Sequence, residues 1–234
     1  MKIIEYKGRH NITVEFTGHG NTVSSSYENF KRGVIKNIYD KSVYNIGFIG
    51  EGKYKPTINQ KHTARYSVWL DMLRRCFSDK FKNKYPTYKN CTVCDEWLNF
   101  QNFAEWYEDN FYEVGNQIMN IDKDILFKKN KLYCPNTCIF VPQEINLLFI
   151  KYDKCRGNFP IGVTFNKKHN KFYSSCEYKD NNKYLGFYDT PEEAFEAYKN
   201  YKENLIKEVA DKYKNIIPDK LYNAMYKYQV EITD

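Results

Sequence analysis

The chain has 234 residues, of which 42% are apolar, 18% aromatic and 28% charged, with a formal net charge of +7. This is too much core material for a disordered chain, and no stretch approaches the ~18 consecutive apolar residues of a membrane span. The opening run Met1–Lys7 lacks the apolar region of a secretory signal, so the expected location is the cytoplasm, where the seven cysteines, an odd number, stay as reduced thiols.

In chain order, residues 1–60 read as a basic, β-rich region. Ile12–Phe16 alternates apolar and polar residues and leads into a turn at Gly18-His19-Gly20-Asn21. Val43–Gly50 reads as a second extended run, with Lys31, Arg32, Lys36 and Lys41 between the two. Residues 61–150 read as a middle α/β domain. Tyr66, Trp69, Leu73 and Cys76 recur at helical spacing over 65–77, and Trp97, Phe100, Phe103, Trp106 and Tyr107 mark a second helix. Lys131–Tyr133 and Ile139–Val141 read as short strands, and Pro142 suits the first turn of a helix carrying Ile145, Leu148 and Phe149.

After a linker at 151–158, residues 158–214 read strand, strand, strand, helix. The strands are Ile161–Phe165, Lys171–Tyr178 and Lys183–Tyr188, with turns at 166–170 and 180–182. Thr190-Pro191-Glu192-Glu193 is a capping box with Pro at the first helical position. Ala194, Tyr198, Tyr201, Leu205, Val209 and Tyr213 then form one helical face to cover the sheet. Residues 215–234 read as a tail. The predicted class is α+β: a small N-terminal β region, a middle domain containing a ββα unit, and a three-stranded antiparallel sheet packed on one helix.

Charge is uneven. Residues 1–90 carry 17 Lys and Arg against 7 Asp and Glu, a net +10, whereas residues 91–156 sum to −3 and residues 157–234 to zero. Such a block suits a polyanion. A Lys-rich surface encoded by an A+T-biased genome would give the same numbers.

The order Gly162-Val163, Lys171-Phe172, Tyr184-Leu185-Gly186-Phe187-Tyr188-Asp189-Thr190-Pro191-Glu192-Glu193-Ala194 and Ala197-Tyr198 resembles the Apetala/ethylene-response-factor DNA-binding domain. The resemblance implies a three-stranded sheet lying in the major groove of double-stranded DNA, backed by the helix. Alternation along Lys171–Tyr178 sends Phe172, Ser174, Cys176 and Tyr178 toward the helix and Lys171, Tyr173, Ser175 and Glu177 away from it. Thr164, Asn166 and Tyr184 are expected on that outer face, with Lys167, Lys168 and Lys183 beside it for phosphates. Lys31, Arg32 and Lys36 are expected to add phosphate contacts. The family's DNA face is rich in Arg; here Thr164, Asn166, Glu177 and Asn182 stand at those positions and Tyr184 replaces a Trp, so the family's site preference does not transfer.

Tyr66-Ser67-x-Trp69-x2-Met72-x2-Arg75-Cys76-Phe77, Thr92-Val93-Cys94-Asp95-Glu96-Trp97, Phe100-x2-Phe103, Ile121-Asp122-Lys123-Asp124 and Tyr133-Cys134-Pro135-Asn136-Thr137-Cys138-x-Phe140-Val141-Pro142 resemble bacteriophage and prophage proteins related to HNH and homing endonucleases. The resemblance extends over 31–54 and so covers nearly the whole chain, and it implies an infected or lysogenic bacterial host. It places the catalytic centre at Asp122, Lys123, Asp124 and Asn146, with Asp122 and Asp124 as Mg2+ ligands if the protein cuts DNA. HNH chemistry uses a His as general base and a central Asn. Lys123 and Thr137 occupy those positions, and a Lys of ordinary pKa near ~10.4 holds its proton at neutral pH.

Cys91-x2-Cys94 and Cys134-x3-Cys138 also have the spacing of a four-thiolate Zn2+ site, or of thiols buried in a core. His10, His19 and His169 fall in turn-like segments. Three functions follow: a double-stranded DNA-binding protein with a degenerate HNH-like module and no cofactor needed for binding; a divalent-metal-dependent, site-directed DNA endonuclease; or a non-enzymatic phage factor that binds a host protein.

Overall fold

The computed structural model describes residues 1–150, 159–179 and 181–234. The expected linker at 151–158 and Asp180 of the last sheet turn lie outside the described residues. The protein is mixed α+β and divides into two compact units, residues 1–109 with 131–135, and residues 110–130 with 136–234. Among the described residues no helix is long and apolar enough to cross a membrane.

In the first unit, β1 (Lys2–Gly8), β2 (Asn11–Glu15) and β3 (Thr22–Ser25) form an antiparallel sheet in that order, burying Ile12 and Val14 of β2. Helix α1 (Tyr27–Lys31) follows, capped by Ser26, whose hydroxyl accepts from the Asn29 amide. Val43–Gly50 is not the extended run expected from its composition. It holds only isolated bridges at Val43 and Phe48, because Tyr44 and Asn45 adopt φ of 51° and 59° and turn the chain. Gly47 is there because a Cβ would come within 3.0 Å of the Trp69 ring. A hairpin of β4 (Thr57–Ile58) and β5 (Lys61–His62) leads to α2 (Ala64–Phe77). Thr63 caps α2, which buries Trp69, Met72, Leu73 and Cys76 on the face its periodicity predicts. Trp69 is satisfied in that core by donating Nε1–H to the Trp97 carbonyl at 2.7 Å. Helix α3 (Asp79–Lys84), strand β6 (Thr92–Val93) and helix α4 (Phe100–Asn110) complete the run; α4 buries Phe100, Phe103 and Tyr107. Residues 131–135 return β8 (Leu132–Tyr133) parallel to β6.

The second unit begins with a ββα arrangement. Strand β7 (Met119–Asp122) pairs antiparallel with β9 (Ile139–Pro142), and α5 (Gln143–Leu148) follows directly, burying Ile145 and Leu148. The C-terminal sheet has the order β10 (Val163–Asn166), β11 (Lys171–Tyr178), β12 (Asn181–Tyr188), all antiparallel. Asn181 and Asn182, expected in the turn, belong to β12.

Helix α6 (Pro191–Tyr213) starts at the capping box: the Thr190 hydroxyl accepts from the Glu193 amide, and the Glu193 carboxylate accepts from the Thr190 amide. At 23 residues α6 is longer than the sheet needs. Its first half, through Ala194, Phe195 and Tyr198, packs with Val163 and Cys176 of the sheet. Its second half, through Ile206, Val209, Ala210 and Tyr213, shares a core with Ile139, Val141 and Ile145 of the ββα arrangement. The expected tail is structured: α7 (Asp219–Tyr226) buries Leu221 and Met225 in that second core, and Val230 joins the first.

Candidate functional site

The register of the C-terminal sheet sorts its side chains onto two faces. Val163 pairs with Ser174, Thr164 with Tyr173 and Phe165 with Phe172. Since paired residues share a face, Val163, Phe165, Phe172, Ser174 and Cys176 face α6, and Thr164, Asn166, Tyr173, Ser175 and Glu177 face away. The α6 side is closed tightly: Gly162 sits at φ +78°, and a Cβ there would overlap the Tyr198 ring.

On β12 the register slips between Ser174 and Ser175 of β11, so that Ser174 pairs with Gly186 but Ser175 with Tyr184. Leu185 is the extra residue of this bulge, and Gly186 supplies the φ of +129° beside it. Strict alternation from Tyr184 would send Phe187 to the core and Tyr188 outward. The bulge reverses both. Phe187, paired with Tyr173, points outward and is 40% exposed, while Tyr188 pairs with the inward Phe172 and donates its hydroxyl to the Leu185 carbonyl. Tyr184 is outward as expected, 52% exposed.

The outer face therefore carries a ring cluster. Ring centroids are 5.7 Å apart for Tyr184 and Phe187, 6.2 Å for Tyr173 and Phe187, and 6.4 Å for Tyr173 and Tyr184. His169, in the β10–β11 turn, lies 5.0 Å from Phe187. The sequence reading missed Phe187 and His169; the Gly at 186 inside a strand was the signal for a bulge.

The polar residues expected around this face divide. Lys167 and Lys168 are exposed in the β10–β11 turn and have no ion pair among the described residues. Asn166 serves the turn itself, its Oδ1 accepting from the amides of Lys168 and His169. Lys171 is on the outer face but ion-paired to Asp189 at 2.9 Å. Lys183 is a correction: it pairs with Cys176, which places it on the helix side of the sheet. Of the N-terminal group, Lys31 lies over the Tyr27 ring at the end of α1, and Arg32 and Lys36 are exposed just beyond it.

In the ββα arrangement Asp122 ends β7 and its Oδ1 accepts from the amides of Asp124 and Ile125, at 2.9 and 2.7 Å. Burial and the neighbouring Asp124 carboxylate push the Asp122 carboxyl up to about 6, against the pull of those two amides and of Lys123. Lys123 is buried, with its ammonium 3.1 Å from Asp124. Asn146 lies on α5, and its side chain makes no hydrogen bond among the described residues. The loop after β7 is tied down by the C-terminal segment, a link with no sequence signal: Lys128 pairs with Glu231 and Asp234, and Lys129 with Glu231.

At the other end of the β7–β9 ladder, Glu144 at the start of α5 accepts from Lys179, Lys212 and Tyr178 on Oε1 and from Tyr213 on Oε2, all within 3.2 Å. Burial alone would raise its carboxyl, but the bonds from Lys179, Lys212 and Tyr213 outweigh it and hold it at about 2.

Cys91 and Cys138 are buried, and Cys94 and Cys134 half-buried. Burial pushes the Cys94 thiol up, and Cys134 adds to the rise. No group of three or more His, Cys, Asp or Glu side chains suited to a metal ion gathers among the described residues.

No protein-family model, curated protein or solved structure matches this chain.

Proposed function

We propose that the chain is a DNA-binding protein of the bacteriophage type, in which a ββα module related to HNH nucleases has lost its general base. The observation that carries this reading is the outer face of the C-terminal sheet: α6 covers the other side, and Lys167 and Lys168 stand at its end without ion pairs among the described residues. The resemblance to the Apetala/ethylene-response-factor domain assigns that face to DNA, duplex in that family. The Lys123 side chain supports the loss of catalysis. An ammonium ion-paired to Asp124 donates hydrogen bonds and takes no proton from water.

The test is a mobility shift with a labelled duplex over a salt series. If about six phosphates are contacted, affinity falls by about 10³-fold or more between about 50 and 200 mM salt. The Lys167→Ala/Lys168→Ala variant binds more weakly at every salt concentration. A binding constant indifferent to salt rejects the reading. Plasmid incubated with the protein and Mg2+ or Mn2+ for hours stays supercoiled.

A second reading, a metal-dependent endonuclease, draws on one observation: Asp122 is held beside a second carboxylate at a cost that a divalent cation would relieve. Metal-dependent nicking that disappears in Asp122→Ala would establish it in place of the first.

A further inference from the structure

We propose that the outer face of the β10–β11–β12 sheet binds unpaired nucleobases by stacking, so that its preferred ligand is single-stranded DNA rather than intact duplex. This rests on the reading that the face binds DNA, and it changes which form of DNA is bound.

A duplex offers a groove protein its base edges, which are read by hydrogen-bonding forks, with Arg on guanine the commonest. Among the described residues the centre of this face has no such fork. It has Tyr173, Tyr184 and Phe187, with centroids 5.7 to 6.4 Å apart, and His169 at the rim. Phe187 has no polar atom to offer a base edge, yet the Leu185 bulge turns it out of the core into solvent. A ring in that position offers its π-face, and π-faces are what unstacked bases bind, with little regard to sequence. The Tyr173 and Tyr184 hydroxyls have no hydrogen-bond partner among the described residues, so they remain free for base edges or sugar.

Charge favours a nucleic acid over an apolar protein surface as the occupant. Lys167 and Lys168 have no ion pair among the described residues and sit in the same turn as His169, whose ring touches Phe187. They stand where a backbone phosphate would lie once a base is on the rings. Among the described residues of the strands one carboxylate, Glu177, shares the outer face, and the Asp189 charge is taken up by Lys171. A sheet of exposed rings flanked by cations is the arrangement with which single strands are held.

The experiment is fluorescence anisotropy on the full chain at about 50 mM salt, with a labelled single strand of mixed sequence and the blunt duplex of the same sequence. The single strand should bind at least about tenfold more tightly. Tyr184→Ala, Phe187→Ala and Phe187→Leu should each weaken it by about 5- to 150-fold, the range one base–aromatic stack supplies, with an unchanged circular dichroism spectrum and Tm. Phe187→Leu separates stacking from apolar docking, since it keeps the apolar bulk and removes the ring. If Phe187→Leu binds like the wild type while Phe187→Ala does not, stacking is wrong. If duplex binds more tightly, and only Lys167→Ala/Lys168→Ala weakens it, the stacking proposal fails and the DNA-binding reading stands. If neither form binds, both fail.

Discussion

Two carboxylates of the second unit are displaced in opposite directions, and each gives a pH-dependent outcome. Glu144 is held at about 2, below the ~4.3 of a free Glu, so it stabilises the fold above that ordinary value and the gain is lost as pH falls through about 2. Replacing it by Gln should cost about 1–2 kcal/mol at neutral pH and converge on the wild type in strong acid. Thermal melts of both proteins across that range check it. Asp122 is pushed up to about 6, so its ionisation weakens the fold as pH rises from ~3.9 through about 6. Asp122→Asn keeps an oxygen for the Asp124 and Ile125 amides and removes the charge. It should raise stability at pH 7 by about 1–3 kcal/mol, with no gain below about pH 4. Were a divalent cation held there, adding Mg2+ would stabilise the wild type and not the variant. At Gly162 the backbone is left-handed and Tyr198 fills the space of a side chain, so Gly162→Ala should destabilise the fold by more than the ~1 kcal/mol of a simple φ penalty, read from the urea midpoint.

At the scale of elements, α6 decides what can fold. Its first half closes the sheet, and its second half is core to the ββα arrangement. A fragment limited to residues 159–214 would expose Ile206, Val209, Ala210 and Tyr213, and a unit of that size has little stability to spare. The amide spectrum of that fragment should show poor dispersion. In the full chain Ile206→Ala should cost about 2–5 kcal/mol, read from the urea midpoint. The helix itself was legible because its signals are local: the Thr190–Glu193 box, Pro191 at the first position, and apolar residues every three or four positions. Helix α2 was legible for the same reason. Val43–Gly50 misled because β-type composition states a preference, and Tyr44 and Asn45 in the left-handed region override it.

For the whole molecule, the charge of +10 on residues 1–90 is the long-range feature. Lys31, Arg32 and Lys36 lie close together in sequence within it. Changing the three to Glu should lower the slope of log affinity against log salt by about 2 to 3 if each meets a duplex phosphate. An unchanged slope would take this region out of the interface. The sequence by itself determined the mixed class, the three strands and capped helix at the C-terminus, and the two faces of β11. All of these follow from periodicity, caps and residue identity, which act over a few positions. Only the tertiary structure decided that Phe187 rather than Tyr188 faces outward, that Lys183 lies on the helix side, that Glu144 gathers Lys179, Lys212, Tyr178 and Tyr213, and that residues 215–234 supply Ile217, Leu221, Met225 and Val230 to the cores rather than trailing as a tail. Each of these depends on a register or a contact between residues far apart in the chain. A one-residue slip reverses a strand's faces while leaving its composition unchanged.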